Sequence, residues 1–366
     1  MMRSELLFGL HELPGVGWKT IERLVAALGR QLDGLLSLSA KELADYGLRP
    51  KTAEQISERL TNEFIASRLE MYKTKGISVL TRFDKAYPPL LKQISNPPWV
   101  LYFKGDIGRL RQPAVAIVGT RSPTAYGKKV AFDLAKDLSA RGVLVVSGLA
   151  RGIDAAAHRG GLAGAGGTAA VLGCSLDTVY PPENATLYEE IAENGVVLTE
   201  YPLGTPIHPG MFPLRNRIIS GLSLGVAVVE AAEKSGALIT ADLALEQSRD
   251  VFAVPGPVTS PKSAGTLELI RQGAKLIMNA EHILEEYNDL PIIGHAENRP
   301  FPAFEETLAA DERLVLNLLH GGPVTFDELL KFSGFDFGHL HSVLLHLILT
   351  KKIDQLPGSA YIALER

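Results

Sequence analysis

Seven short apolar runs between residues 113 and 287 constrain the fold of this chain more than any other feature of its sequence. Each run has the length of a β-strand, and a segment with helical spacing of apolar residues separates it from the next. Apolar strands that alternate with amphipathic helices are typical of a mostly parallel sheet covered by helices on both faces. We therefore predict a Rossmann-like α/β domain over residues 113–287. The predicted strands are Val115–Val118, Val143–Val146, Thr168–Leu172, Val196–Leu198, Val226–Val229, Val251–Val254 and Lys275–Met278.

Two glycine-containing turns follow directly after the first two predicted strands. Gly119-Thr120-Arg121-Ser122 ends the first strand, and Gly148-Leu149-Ala150-Arg151-Gly152 ends the second. A strand, a glycine turn and a helix N-terminus together bind phosphate through backbone N–H groups. Neither turn has the spacing of a Walker loop or of a full dinucleotide fingerprint, so we expect no nucleotide cofactor. Because ligands of such sheets bind beyond the carboxyl ends of the strands, both turns are predicted to line one rim.

The segment Phe212-Pro213-Leu214-Arg215-Asn216-Arg217 places two arginines and an amide where an apolar helix begins. Asp and Glu are the usual side chains in a first helical turn, since they complement the positive end of the helix dipole. Arginines at this position indicate that the negative partner comes from outside the protein. Phe212 offers a ring face on which an unpaired base can stack.

The charge of the chain is unevenly distributed. The formal net charge is −4, which disfavours binding of nucleic acid by the protein as a whole. Residues 111–160, however, carry eight basic and three acidic side chains. This segment contains both glycine turns, so the excess positive charge predicts a focused anion-binding site.

The regions on either side of the sheet domain have their own patterns. Residues 1–66 are predicted to be a helical SAM or helix-hairpin-helix-like domain, with Leu13-Pro14-Gly15-Val16-Gly17 as its turn. Their eight basic and nine acidic residues favour a packing role over DNA binding, although both remain open. Residues 67–112 are punctuated by prolines and are interpreted as a connecting strap. Residues 288–304 are interpreted as a linker.

Residues 305–366 combine three amphipathic helical segments with a β-hairpin, which predicts a winged helix. Such domains commonly bind duplex DNA. This one carries five basic and nine acidic residues, so protein contact or regulation is favoured over reading of a duplex.

Cysteine and histidine usage restricts the chemistry. Cys174 is the only cysteine, so an internal disulfide and a cysteine-based metal cluster are excluded, and a buried thiol is expected. His158 follows Asp154 by four residues, which favours a structural hydrogen-bonded pair over a general base. His339, His341 and His346 are interpreted as surface or core residues of a helix, and no metal is expected. The single cysteine favours a reducing cytoplasm as the setting. The longest apolar runs are too short for a membrane span, so no membrane contact is expected.

Seven motifs, in this order along the chain, resemble the DNA-processing protein A (DprA/Smf) family. Together they cover the whole predicted sheet domain. The motifs are Gly119–Ser122, Ser147–Asp154 with His158, Tyr180–Asn184, Thr199–Pro202, Phe212–Leu222, Ser235–Thr240 and Val254–Gly256.

The resemblance implies a cytoplasmic bacterial protein that binds single-stranded DNA, protects incoming strands during natural transformation and loads the RecA recombinase onto them. It also implies a homodimer formed through the sheet domain, and no catalysis. Carried over to this chain, the single-stranded DNA site would comprise Gly119, Thr120, Arg121, Ser122, Gly148, Arg151, Gly152, Phe212, Arg215, Asn216, Arg217, Ser235, Gly236 and Thr240.

Two other classes of protein remain as alternatives. A nucleotide phosphoribohydrolase of the lysine-decarboxylase-like fold has a similar sheet, but it carries a Pro-Gly-Gly-x-Gly-Thr segment. This chain has only Val254-Pro255-Gly256-Pro257 in its place. A nucleotide-sensing regulator would read duplex DNA with its winged helix, and the acidic balance of residues 305–366 argues against it.

Overall fold

The computed structural model describes residues 3–287, 310–319, 323–349, 352–356 and 360–363. The chain divides into two compact units, Met1–Ala296 and Glu297–Arg366. The predicted linker, residues 288–304, lies outside the described residues.

Five helices form the N-terminal part of the first unit. Local sequence sets several of their starts: Ser39 and Glu42 form a capping box at the third helix, and the Thr61 side chain caps the fifth. The turn Leu13–Gly17 joins the first two helices, and a 3₁₀ segment, Gly29–Ser37, follows the second. The helices are α1 (Arg3–Glu12), α2 (Trp18–Leu28), α3 (Ala40–Asp45), α4 (Pro50–Arg59) and α5 (Asn62–Thr74).

A nine-stranded sheet forms the body of this unit. Its strands are β1 (Ser78–Thr81), β2 (Val100–Gly105), β3 (Ala114–Val118), β4 (Leu144–Ser147), β5 (Thr168–Val171), β6 (Val196–Thr199), β7 (Gly225–Val228), β8 (Asp250–Ala253) and β9 (Lys275–Leu276). Their spatial order is β1-β2-β6-β5-β4-β3-β7-β8-β9. The seven predicted strands correspond to β3–β9, and all pairs among them are parallel. The prediction of a mostly parallel sheet is confirmed.

Two strands were not predicted. β1 and β2 lie within residues 67–112, and they extend the sheet antiparallel to each other and to β6. The prolines around Tyr87 and Pro97 led to the interpretation of this segment as a strap. They lie in the connection between β1 and β2, where they remove no hydrogen bond from the ladder.

Helices cover both faces of the sheet, and the side chains of β3 show how. Ala116 and Val118 point into one apolar cluster with α10 and α11, whereas Val115 and Ile117 point into another with α7 and α8. This two-residue alternation is the ordinary geometry of a strand buried on both faces. The helices are α6 (Pro89–Lys92), α7 (Ala125–Ala140), α8 (Ile153–Leu162), α9 (Ala185–Asn194), α10 (Met211–Leu222), α11 (Gly236–Glu246), α12 (Ala264–Arg271) and α13 (Glu281–Leu284).

The N-terminal helices share a core with the sheet. Leu6 and Phe8 of α1 belong to the same buried cluster as Val100 and Tyr102 of β2. A buried polar network reinforces this contact, because the Glu12 carboxylate accepts hydrogen bonds from Tyr72 at 2.7 Å and from Tyr102 at 2.6 Å. Arg68 supplies the balancing charge.

The second unit has the order of elements of a winged helix, as predicted. Its elements are α14 (Ala310–Leu319), β10 (Val324–Thr325), α15 (Phe326–Ser333), α16 (Phe337–Leu349), β11 (Ile353–Leu356) and β12 (Ala360–Ala363). The strands are ordered β10-β12-β11 and are antiparallel. Val315, Leu329, Leu340 and Tyr361 join the three helices and the wing in one small core.

Candidate functional site

The order of the strands reverses at β3. From β3 the chain adds β4, β5 and β6 on one side, and it then crosses back to place β7 on the other side of β3. Parallel α/β sheets bind their ligands at such a reversal, in the crevice at the carboxyl ends of the strands. A cleft of about 320 Å³ lies there. We call it the switch-point cleft, and its lining includes nine of the predicted site residues: Gly119, Thr120, Arg121, Phe212, Arg215, Asn216, Ser235, Gly236 and Thr240.

Arg121 is the exposed cation of the cleft. Its turn is held by a hydrogen bond of 2.7 Å from the Thr120 N–H to the Glu230 carbonyl oxygen. The Glu230 carboxylate is occupied in turn, since it accepts from the Thr124 N–H and hydroxyl at 2.9 and 2.5 Å. Among the described residues, the Arg121 guanidinium has neither a carboxylate nor a carbonyl partner. Its positive charge is therefore available to an external anion.

The second glycine turn has an unusual backbone. Leu149 has φ = 55° although it carries a side chain, and Gly152 has φ = 81°. A non-glycine residue in the left-handed region costs on the order of 1–3 kcal/mol and persists only where its surroundings impose it. Here Leu149 is fully buried, and its carbonyl oxygen accepts a hydrogen bond of 2.9 Å from the Asn184 amide.

Asp154 and His158 stabilise this turn by accepting hydrogen bonds from its backbone. The Asp154 carboxylate accepts from the backbone N–H of Gly148 at 3.1 Å, and His158 Nε2 accepts from that of Leu149 at 3.2 Å. The other ring nitrogen of His158 therefore donates to the Thr168 hydroxyl at 2.7 Å. Burial lowers the pKa of His158 to about 3, so the ring is neutral, and burial raises the pKa of Asp154. The predicted Asp154–His158 pair is wrong, because each side chain binds the turn instead.

Arg215 is buried rather than free. The residue is 4% exposed, and its Nη1 donates to the Gly148 carbonyl oxygen at 2.7 Å and also to that of Val171. Gly148 permits this approach, because a Cβ at that position would lie 2.4 Å from Nη2 of the arginine. Arg215 thus joins the start of α10 to the ends of β4 and β5. It lends positive charge to the cleft wall while it stabilises the wall itself.

Arg217 does not reach the switch-point cleft. Its guanidinium forms a two-pronged ion pair with Glu200, with an Nη1–Oε1 distance of 2.7 Å. Its Nε donates to the Asn96 carbonyl oxygen at 3.1 Å, and both side chains of the ion pair are only 15% exposed. One turn of helix is 3.6 residues, so Arg215 and Arg217 point in different directions from α10. The geometry gives Arg217 an internal partner, contrary to the expected external anion.

Two aromatic rings lie next to each other here: Phe212 lines the cleft and a smaller recess beside it, and Tyr180 lines that recess. The centroids of Tyr180 and Phe212 are 5.1 Å apart, and the rings are tilted by 43°. Gly173 makes room for Phe212, because a Cβ there would lie 2.6 Å from Cδ1 of the ring. Tyr180 is 39% exposed, so a ring face remains open to a planar ligand. Tyr180 begins one of the seven motifs, but it was not among the predicted site residues, because no local pattern relates it to Phe212.

A smaller recess adjoins the cleft and contains Gly148 and Arg151. Arg121, Phe212 and Arg215 line both spaces, so the two form a continuous surface. Arg151 forms an exposed ion pair with Glu183. The predicted residues Ser122 and Gly152 belong to the two glycine turns but line neither space. The cleft is also lined by residues that were not among the predicted site residues, although all except Val118 lie within the seven motifs: Val118, Ala150, Asp154, Pro213, Ile219, Ala237 and Ile239.

Other candidate sites are accounted for by their contacts. The Cys174 thiol is buried, as predicted, and lies 3.2 Å from the Thr178 carbonyl oxygen. His339 contacts Asp311, and His346 contacts Glu312. Within the described residues, no group of three or more potential ligands could hold a metal ion. Every helix in that part of the chain is too short or too polar to cross a lipid bilayer.

A parallel sheet with a cationic and aromatic cleft at its switch point defines a Rossmann-like protein that is suited to phosphate-containing ligands. The matches to known families agree with this class. The family model of DNA recombination-mediator protein A matches residues 78–288, and that of the DprA winged helix domain matches residues 299–359. The chain belongs to the DNA recombination-mediator protein A (DprA/Smf) family.

Individual relatives support the assignment. DNA processing protein DprA of Bacillus subtilis is 47% identical over 219 residues, which are 60% of this chain and 74% of the relative. The X-ray structure of DNA processing protein A from Streptococcus pneumoniae superposes with a TM-score of 0.69 at 33% identity, over 78% of this chain and 98% of that one. The structure of DNA processing protein A from Helicobacter pylori, which is described with a single-stranded DNA binding mode, superposes with a TM-score of 0.53 at 35% identity. This match covers 58% of this chain and 96% of that one. These matches do not favour the phosphoribohydrolase alternative.

Proposed function

We propose that this protein binds single-stranded DNA in the switch-point cleft. The observation that carries the proposal is the pairing of Arg121, which has no ion-pair or hydrogen-bond partner among the described residues, with the rings of Phe212 in the cleft and Tyr180 in the adjoining recess. Proteins that bind single strands combine cations for the phosphates with rings on which the bases stack. A duplex keeps its bases inside the stack, so it cannot use the rings. The single-strand binding of the Helicobacter pylori relative supports the same assignment.

The cleft also offers neutral donors to a phosphate. α11 begins at its wall, where the Ser235 side chain caps the helix by accepting from the Ala237 N–H at 3.3 Å. The N–H of Gly236 lies in the first turn of that helix, where backbone donors have no intrahelical acceptor. A Cβ on Gly236 would have no neighbour within 4 Å, so the backbone is open to a ligand. Thr240 and Asn216 add side-chain donors to the same wall.

We propose a binding function without catalysis. A general base must reach the proton that it abstracts, and His158 is fully buried with both ring nitrogens bonded. The Asp154 carboxylate accepts from the N–H groups of Gly148 and Ala150, so its role in the turn is also structural. His158 and Asp154 thus stabilise the glycine turn, and we propose that the neighbouring cations and rings contact the ligand.

The proposal extends to partners that the family description supports. We propose that the protein protects incoming single strands in the cytoplasm during natural transformation and loads a RecA recombinase onto them, as a recombination mediator would. We also propose a homodimer formed through the sheet domain. Leu276 at the edge strand β9 is 40% exposed and Met278 is 67% exposed, which provides apolar surface for such a contact.

Fluorescence anisotropy with a labelled oligothymidylate and with a duplex of the same length tests the function. We expect the single strand to bind at least tenfold more tightly, since stacking on a ring is worth roughly 1–3 kcal/mol per base. The matched variants are Arg121→Ala, which removes the cleft cation, and Lys136→Ala, which removes an exposed cation of α7 outside the cleft. Equal affinity for the two nucleic acids, or equal losses in the two variants, would refute the proposal.

A further inference from the structure

A second groove with aromatic and cationic walls lies outside the switch-point cleft. Its volume is about 350 Å³, and its surface is almost entirely apolar. α2 forms one wall, and the segments next to β1 and β2 form the other. We call it the rim groove, and its residues are Glu22, Val25, Ala26, Arg82, Phe83, Lys92 and Trp99.

The rim groove opens on the same edge of the sheet as the cleft. Thr81 at the end of β1 pairs with Val100 at the start of β2, and Tyr102 pairs with Thr199 at the end of β6. Arg82, which leaves β1, therefore lies at the carboxyl edge of the parallel strands. Five strand intervals separate β3 from β1, which corresponds to roughly 24 Å at about 4.8 Å per strand.

Two cations, Arg82 and Lys92, lie at the border of the apolar rim groove. The Arg82 guanidinium lies 4.8 Å from the ring centroid of Trp99, and that of Arg3 lies 5.9 Å from the ring of Phe83. Lys92 is exposed, and among the described residues neither it nor Arg82 forms an ion pair. Among the described residues of the lining, Glu22 is the one carboxylate. Positive charge around an apolar floor therefore complements a ligand that has both negative charge and flat apolar groups.

The helix α10 links the cleft to the chain segment that forms part of the rim groove. The helix α10, which carries Phe212 at the cleft, also carries Arg217. Arg217 donates to the carbonyl oxygen of Asn96, in the same connection that supplies Lys92 and Trp99 to the rim groove. Phe83 is 37% exposed there, whereas Trp99 is 4% exposed and closes the floor. The Phe83 ring is therefore partly accessible to a base, between the Arg3 guanidinium that lies over it and the ring of Trp99.

We propose that the rim groove is a second contact for the same DNA strand, where Phe83 stacks on an unpaired base and Arg82 and Lys92 bind flanking phosphates. The proposal rests on the proposed binding of single-stranded DNA in the switch-point cleft. In this arrangement the DNA strand follows the carboxyl edge of the sheet from β3 towards β1. The site therefore contributes to the binding of long strands and leaves the binding of short ones unaffected.

Anisotropy titrations with oligothymidylates of about 4 and about 20 nucleotides test this, since single-strand sites span roughly 4–16 nucleotides and the short oligomer cannot reach both sites. The double variant R82E/K92E should bind the long oligomer about tenfold more weakly and the short one within about twofold of the unmodified protein. Its log–log salt slope for the long oligomer should be shallower by about 1.4, because each lost phosphate contact removes roughly 0.7. Phe83→Ala should weaken binding of the long oligomer and leave its log–log salt slope unchanged.

The matched control is K51E/R59E, which makes the same charge change with two exposed cations of α4 that do not line the rim groove. Circular dichroism and thermal unfolding verify that all variants fold. Unchanged binding of the long oligomer by R82E/K92E would overturn the proposal, as would equal losses for both oligomers or an equal loss in the control. If R82E/K92E binds DNA like the unmodified protein but loses binding to an acidic, aromatic-ended peptide, the groove binds a protein partner and the proposal is overturned. If neither oligomer binds the unmodified protein, the proposed function itself fails.

Discussion

The sequence predicts both Arg121 and Arg217 as ligand-binding residues, but the two differ in structure. Truncating each one therefore separates binding from stability. Arg217 and Glu200 form a two-pronged ion pair in which both side chains are 15% exposed. Removing one partner of a fully buried pair costs about 3–5 kcal/mol, and partial exposure reduces this to about 2–3 kcal/mol for Arg217→Ala. For a unit of this size that corresponds to a fall in Tm of roughly 3–5 °C.

Arg121→Ala should have the opposite effects. The side chain is exposed and has no partner among the described residues, so the free energy of unfolding should change by less than about 0.5 kcal/mol. Single-strand affinity should fall about fivefold at physiological salt, and the log–log salt slope should become shallower by about 0.7, the value for one released counterion.

Thermal unfolding followed by circular dichroism, together with anisotropy titrations at several salt concentrations, measures both quantities on both variants. The titrations are run well below the lower Tm, so that both variants are folded. If Arg217→Ala keeps its Tm and flattens the salt slope as much as Arg121→Ala does, the ion pair with Glu200 is not the role of Arg217. The assignment of the cleft cations would then be wrong.

Three further outcomes are expected. Phe212→Ala should weaken single-strand binding by roughly 1–3 kcal/mol without changing the salt slope in anisotropy titrations, because it removes a ring and no charge. Urea unfolding should show stability falling from about pH 6.5 towards acid, by up to roughly 1.4 kcal/mol per pH unit for each buried histidine. The pKa of His158 is lowered to about 3 and that of His11 to about 4, so the unfolded chain takes up protons that the folded chain does not bind. A flat profile between about pH 7 and about pH 5 would contradict this. Removal of residues 305–366 should leave single-strand affinity within about twofold, since they carry more acidic than basic residues; a tenfold loss in a folded truncation would show that the wing binds DNA.

The local sequence determined most of the architecture. Apolar runs such as Val115–Val118 determine the strands, because a strand that is buried on both faces needs apolar side chains at every position. The glycine turns at Gly119 and Gly148 indicated the edge of the sheet that carries the cleft, since ligands of parallel sheets bind at the carboxyl ends. Both predictions rely on interactions between residues that are near each other in the chain.

Tertiary structure decided which of the predicted side chains face a ligand. Arg217 pairs with Glu200, Arg215 donates to backbone carbonyl oxygens, and His158 donates to the Thr168 hydroxyl. Each of these contacts joins residues that are at least ten positions apart in the chain. Tyr180 meets Phe212 across 32 positions of sequence for the same reason. Local periodicity specifies the face on which a side chain lies. Its partner depends on how separate elements cross and on which strands are neighbours in the sheet, and both follow from packing of the whole core.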